Sequence, residues 1–293
     1  FFLLGFKNPP ILNTILFILF ILIYFLTVAL NVLIISLVAT VPILKSPMYF
    51  FLSHLSASDI LVTTNITPNM LHVILHVEST ISLTGCITQF HFHCLSSAAE
   101  CLFLTVMSYD RYLAICKPLH YTSIMDSSLC LQLAVWSWIL SFSVSLLIAF
   151  LIHQLVFCGH VIDHYFCDFV PLLQLSCSDS TIVKMTNIVL SIPLMILPLS
   201  FIFYTYISIF ITISRISTSS GKLKSFYTCS SHLIVVSIYY GILIAIYMTP
   251  SINSSFNANK AISLLFTMGT PIFNPIIYCL RNKDIKKAMR KFL

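Results

Sequence analysis

Charge is what this sequence has least of. Only 8% of its 293 residues are charged while 58% are hydrophobic, and the mean hydropathy is +0.99. So little polar surface cannot cover a soluble globule of this length, which excludes a water-exposed fold and leaves a membrane protein. Internal symmetry is missing as well. A transporter built from repeats would show paired, interrupted half-helices in two matching halves, and none recur. An intramembrane enzyme would need a nucleophile with its base, or a metal cluster, at one depth. The histidines are instead scattered, and His91 and His93 point to different faces of a helix. A cleavable signal peptide is not visible either: the first apolar run is too long, lacks a basic lead and a small-residue cleavage site, and reads as a signal anchor.

What the chain does have is long apolar runs, at Ile11 to Ala39, Met48 to Ile74, Cys86 to Cys116, Leu129 to Ile152, Val183 to Ile213, Phe226 to Met248 and Ala261 to Leu280. Each reaches the ~20 residues that a helix rising 1.5 Å per residue needs to cross ~30 Å of hydrocarbon. The expected fold is therefore an all-α membrane protein, one seven-transmembrane helix bundle over residues 1–293. An odd number of spans puts the two ends on opposite sides of the bilayer. Lys45, Arg111, Lys117, Arg215, Lys222, Lys224, Arg281, Lys283, Lys286, Lys287, Arg290 and Lys291 fall on one side, against Lys7, Lys184 and Lys260 on the other. This positive-inside bias predicts an outer amino-terminal segment, 1–10, and a cytoplasmic tail, 281–293. The net charge of +6 then faces the lipids of the inner leaflet, and nucleic acid is not needed to explain it.

Of ten cysteines, Cys86, Cys158, Cys167 and Cys177 fall on the oxidising side, enough for two disulfides in any of three pairings. Cys94, Cys101, Cys116, Cys130, Cys229 and Cys279 are expected to stay reduced. His164, Cys167 and Asp168 have the residue types of a soft-metal site, but a cysteine used in a disulfide is no ligand, which counts against it.

Met107 to Cys116 sets an acid beside a base, Asp110 and Arg111, where the third run ends. Such a pair is costly in mid-bilayer and fits the membrane edge, poised to pair or to part; simple anchoring is the plainer alternative. Counting up from that edge, Glu100 lies about 16 Å above Arg111 on the third helix and Asp59 about 18 Å above Pro47 on the second. The two acids share a depth, and no Lys or Arg lies at that level in any span. A proton or a small cation such as sodium would resolve the conflict; hydrogen bonds from Asn31 or Asn274 to two protonated acids would also do so. In the seventh run, Asn274-Pro275-Ile276-Ile277-Tyr278 combines a helix-breaking proline with polar neighbours and predicts a local hinge. Beyond it, basic residues alternate with Ile285, Ala288, Met289 and Phe292 at helical spacing, predicting a short amphipathic eighth helix on the membrane surface.

Taken in order, Pro47-Met48-Tyr49-Phe50-Phe51-Leu52, Leu55 with Asp59, Met107 to Cys116, Lys224-Ser225-Phe226-Tyr227-Thr228-Cys229-Ser230-Ser231-His232, and Pro271 to Tyr278 with Arg281-Asn282 give the chain a family look. It resembles the olfactory (odorant) receptors of the rhodopsin-like G protein-coupled class over nearly its whole length. Leu30 stands where that family usually has Gly, Tyr227 where Ser is common, and the segment from Cys158 to Cys167 is slightly short. The resemblance implies that Cys86 pairs with Cys167 and Cys158 with Cys177, and that Asp59 and Glu100 match a sodium-linked pair. It implies that Asp110, Arg111, Tyr206, Asn274, Pro275 and Tyr278 are activation switches which open the cytoplasmic face to a G protein of the olfactory stimulatory type, coupled to adenylyl cyclase. No cofactor beyond a sodium ion is implied, and the location is the plasma membrane.

The resemblance also implies a ligand pocket in the outer half of the bundle, between the third, fifth, sixth and seventh helices. Phe90, His93, Cys94, Ser97 and Ala98 share one face of the third, Ser191 and Met195 sit on the fifth, Tyr240, Leu243 and Tyr247 share a face of the sixth, and Thr267 lies on the seventh. Such stripes also serve plain helix packing. His93, Ser97 and Tyr247 stand out because a polar group on a buried face wants a partner. An amine receptor would want a carboxylate near His93, and none is present there, so a small, mostly apolar volatile ligand is expected. The alternatives are a transporter or a non-olfactory rhodopsin-like receptor.

Overall fold

The computed structural model describes residues 1–6, 9–76, 78–215, 219–248 and 256–292; the side chains at 78, 219–228, 247–248, 256–259, 283 and 291–292 lie outside that description. Each apolar run falls inside one long helical segment. These are α1 (Pro10–Thr40), α2 (Pro47–His76), α3 (Leu83–Cys116), α5 (Ser127–His153), α7 (Thr181–Ser214), α8 (Ser219–Met248) and a seventh made of α9 (Phe256–Leu264), a π-turn (Leu265–Gly269) and α10 (Thr270–Arg281). Short helices α4 (Tyr121–Ile124) and α6 (Phe169–Gln174) sit in loops, and α11 (Lys283–Phe292) follows the bundle. Polar caps mark where the apolar runs begin. Ser82 Oγ accepts from Gly85 N at 3.0 Å ahead of α3, and Asp126 Oδ1 accepts from Leu129 N at 2.8 Å ahead of α5.

Polarity is reversed relative to a soluble protein. Phe25 is 62% exposed and Phe210 73%, while Asp59 is 1% exposed and Asn31 is fully buried. Apolar side chains therefore face outward, where lipid would meet them, and polar ones face each other. Among the described residues, six helices are long and apolar enough to cross a membrane. The exception is α2, which buries Ser56, Ser58, Asp59, Thr63 and Thr67 on its inner face.

At the predicted hinge α10 runs unbroken through Asn274 to Tyr278 with Pro275 inside it, and the irregular backbone of the seventh span lies upstream, in the π-turn before Pro271. Pro275 has no N–H, so the carbonyl of Pro271, four residues back, loses its helical partner. Asn31 Nδ2 of α1 donates to that carbonyl at 3.0 Å, which ties the first helix to the seventh. The predicted eighth helix is α11. It buries Ile285 and Ala288, and Tyr49 Oη of α2 donates to Asn282 Oδ1 and Asp284 Oδ2, both at 3.0 Å, at its start.

One end of the bundle carries a small cap built from distant segments. Strand β1 (Phe2–Leu4) pairs antiparallel with β2 (Glu78–Thr80) and parallel with β3 (Val161–Ile162). Gly5 follows β1 where a Cβ would come within 2.7 Å of Val73 Cγ1, so a larger residue would push the strand off the bundle. The Cys86–Cys167 disulfide pins the long loop between α5 and α7 to this end of α3, and Cys158–Cys177 closes that loop on itself. Lys260 of α9, only 3% exposed, donates to Asp163 Oδ1 at 2.6 Å and to Gly5 O at 3.0 Å, joining loop, strand and seventh helix.

Candidate functional site

Beneath the cap lies a cavity of about 250 Å³ bounded by α3, α5, α7, α8, the π-turn and the long loop. From α3 it is lined by Phe90, His93, Cys94, Ser97 and Ala98, and from α7 by Ser191 and Met195. Leu243 of α8 and Thr267 of the π-turn complete the sequence-predicted residues that it brings together. Tyr240 does not line it. Its hydroxyl instead meets Cys101 Sγ at 3.0 Å, and the neighbouring Tyr239 faces the cavity and donates to Ser97 O at 2.7 Å. The cavity takes Tyr239, Leu243 and Ile246 from α8, so Leu243 is shared with the expected stripe while Tyr239 stands in the place expected of Tyr240. The side chain of Tyr247 lies outside the described residues.

The loop supplies what the helices could not. The Cys86–Cys167 bridge holds Phe166 and Asp168 at the cavity wall, where Phe166 meets the His93 ring edge-on at 5.1 Å between centroids. Asp168 corrects an expectation: a carboxylate does line the same cavity as His93, delivered from seventy-odd residues away by the disulfide. Above it, burial pushes His164 down to about 4, so it stays neutral in the cap at ordinary pH. With Cys167 committed to a bridge, the His164, Cys167 and Asp168 grouping is not a metal site.

Midway along the bundle, Asn274 Nδ2 donates to Asp59 Oδ1 and Oδ2, both at 3.1 Å, and to Glu100 Oε1 at 2.9 Å. The shared depth of the two acids thus becomes a shared partner. One neutral amide cannot offset two carboxylate charges, so a proton or a cation must complete the cluster. The carboxylate oxygens are of the donor type that hard cations take, while Asn274 presents its amide nitrogen to both acids.

At the end opposite the cap, Arg111 Nε donates to Asp110 Oδ2 at 2.9 Å, with Nη2 making a second contact to the same oxygen. Tyr121 Oη of α4 donates to Asp110 Oδ1 at 2.7 Å. Tyr206 Oη meets His232 Nδ1 at 2.6 Å, and His232 Nε2 meets Leu104 O at 3.0 Å. A carbonyl only accepts, so Nε2 carries the proton and Nδ1 accepts from Tyr206. His232 therefore links α3, α7 and α8. The Tyr278 hydroxyl is buried without a partner among the described residues. Sequence reasoning gave no roles to Tyr121 and His232; His232 did lie within a quoted motif, but nothing local named its partners.

A seven-helix membrane bundle with this ion pair at one end and a disulfide-roofed cavity at the other has the make-up of a G protein-coupled receptor, a class without enzymatic activity. The family model described as olfactory receptor matches residues 20–293. The chain is 44% identical to human olfactory receptor 6P1, covering 99% of this chain and 92% of that protein. It is 44% identical to rat olfactory receptor 226 over 100% of this chain and 91% of that one, and 44% identical to human olfactory receptor 6X1 over 99% and 94%. The chain belongs to the olfactory receptor family.

Proposed function

We propose that this chain binds a small, mostly apolar volatile ligand in the roofed cavity and activates a heterotrimeric G protein of the olfactory stimulatory type, raising cyclic AMP. The capped end is then extracellular and the Asp110–Arg111 end cytoplasmic, a reading supported by the excess of Lys and Arg at the latter. The observation that carries the proposal is the pairing of a small, largely apolar cavity under one end with exchangeable polar contacts at the other. A ligand shifts such a bundle only by binding one arrangement better than the other. Sodium held by Asp59 and Glu100 would favour the resting arrangement. Cells expressing the chain should raise cyclic AMP in response to members of a broad odorant panel, and mock-transfected cells should not. A panel-wide lack of response with the chain at the surface would sink the reading.

A further inference from the structure

Hydroxyls line the cavity, but most of their protons are committed. Ser97 Oγ donates to His93 O at 2.9 Å, Ser145 Oγ to Phe142 O at 3.0 Å, Ser191 Oγ to Asn187 Oδ1 at 3.1 Å, and Thr267 Oγ1 to Ser263 O at 2.9 Å. Tyr239 Oη is committed to Ser97 O. A hydroxyl whose proton is used offers a ligand only lone pairs. Asp168 adds the one carboxylate among the described lining residues. Its Oδ1 accepts from Phe169 N at 2.7 Å at the start of α6, and its Oδ2 has no partner among the described residues. Donors remain on Asn187, His93 and Ser263, and His93 Nδ1 is buried without a partner among the described residues.

We propose that the cavity selects ligands presenting a hydrogen-bond donor, a hydroxyl or a protonated amine, on a short apolar body, with Asp168 as the acceptor. This rests on the reading of the cavity as the odorant site. An ether or ester that displaces water from Asp168 Oδ2 leaves that oxygen without a donor, at a desolvation cost that its own acceptor oxygens cannot offset. A hydroxyl satisfies Asp168 and can also accept from Asn187 or His93. Sites built to bond a ligand hydroxyl reject the analogue lacking it more strongly than they reject a change of one methylene.

The test takes the purified full chain in lipid nanodiscs with a matched hexyl series: n-hexanol, hexylamine, hexyl methyl ether and methyl hexanoate. Binding is read from the concentration dependence of the thermal unfolding midpoint. The alcohol and the amine should bind at least about tenfold more tightly than the ether and the ester. Asp168→Asn should remove the amine's advantage while the fold persists, since Asn also caps a helix well. Ether or ester binding as tightly as both donors, or no binding by either donor, overturns the proposal. Odorant-evoked cyclic AMP is scored separately, so donor-blind binding in a chain that signals would remove this inference and leave the receptor reading in place.

Discussion

At the capped end, the Cys86–Cys167 disulfide, a three-stranded sheet and the Lys260–Asp163 pair join segments far apart in sequence, and Cys158–Cys177 closes the loop between α5 and α7 on itself. At the opposite end, Asp110 divides its two oxygens between Arg111 and Tyr121, and Tyr206 is linked by hydrogen bonds to α3 through His232. Disulfides do not exchange partners on the time of a signal, whereas side-chain hydrogen bonds can. The difference separates a fixed frame around a cavity from a set of contacts able to rearrange.

The largest test of that contrast removes a bridge. Cys86→Ser should block folding and surface delivery, because losing a native disulfide commonly costs about 2–5 kcal/mol and this one also places Phe166 and Asp168. Peptide mapping without reductant should recover Cys86 joined to Cys167; a free Cys86 in the mature protein would contradict it. The counterpart at the other end is Arg111→Ala. It should abolish odorant-evoked cyclic AMP yet leave surface levels, read by antibody staining of an outer tag, close to native. Surface loss as severe as that of Cys86→Ser would erase the contrast. The smallest effect is expected between the two ends. Glu100→Gln keeps a group able to bond Asn274 but removes a charge, so it should fold and lose any sodium dependence of basal cyclic AMP, a change below about tenfold, or 1.4 kcal/mol. The readout is basal signal with sodium exchanged for a large organic cation at matched surface levels. An identical sodium response in both chains would leave the acids as protonated core residues.

Much of this was legible in the sequence because it depends on local pattern. Runs long enough to span, the acid-base pair at a helix end and the depth of Asp59 and Glu100 follow from rise per residue alone. Which tyrosine of α8 meets the cavity did not, since Tyr239 and Tyr240 are both buried and only the packing sets Tyr239 at the cavity and Tyr240 against Cys101. The cap was invisible for a different reason. Strands of two or three residues carry no alternation to read, and β1, β2 and β3 meet only after the helices between them have packed. Asp168 belongs to the same class: its place at the cavity depends on which cysteines pair, which spacing alone leaves open.

The polar inner face of α2 carries a consequence for synthesis. On the scale that governs release from the translocon into lipid, an acid near the centre of a helix costs roughly 2.5–3.5 kcal/mol, and Asp59 sits among buried hydroxyls. A segment of that kind does not partition into lipid readily by itself. Part of its inner face finds partners beside its neighbour: Asn65 Nδ2 donates to Gln89 O and Ser58 Oγ to Ser96 O, both on α3. The second span is thus expected to leave the translocon together with its neighbours, which makes the newly made chain dependent on its third helix before the remaining spans have been synthesised.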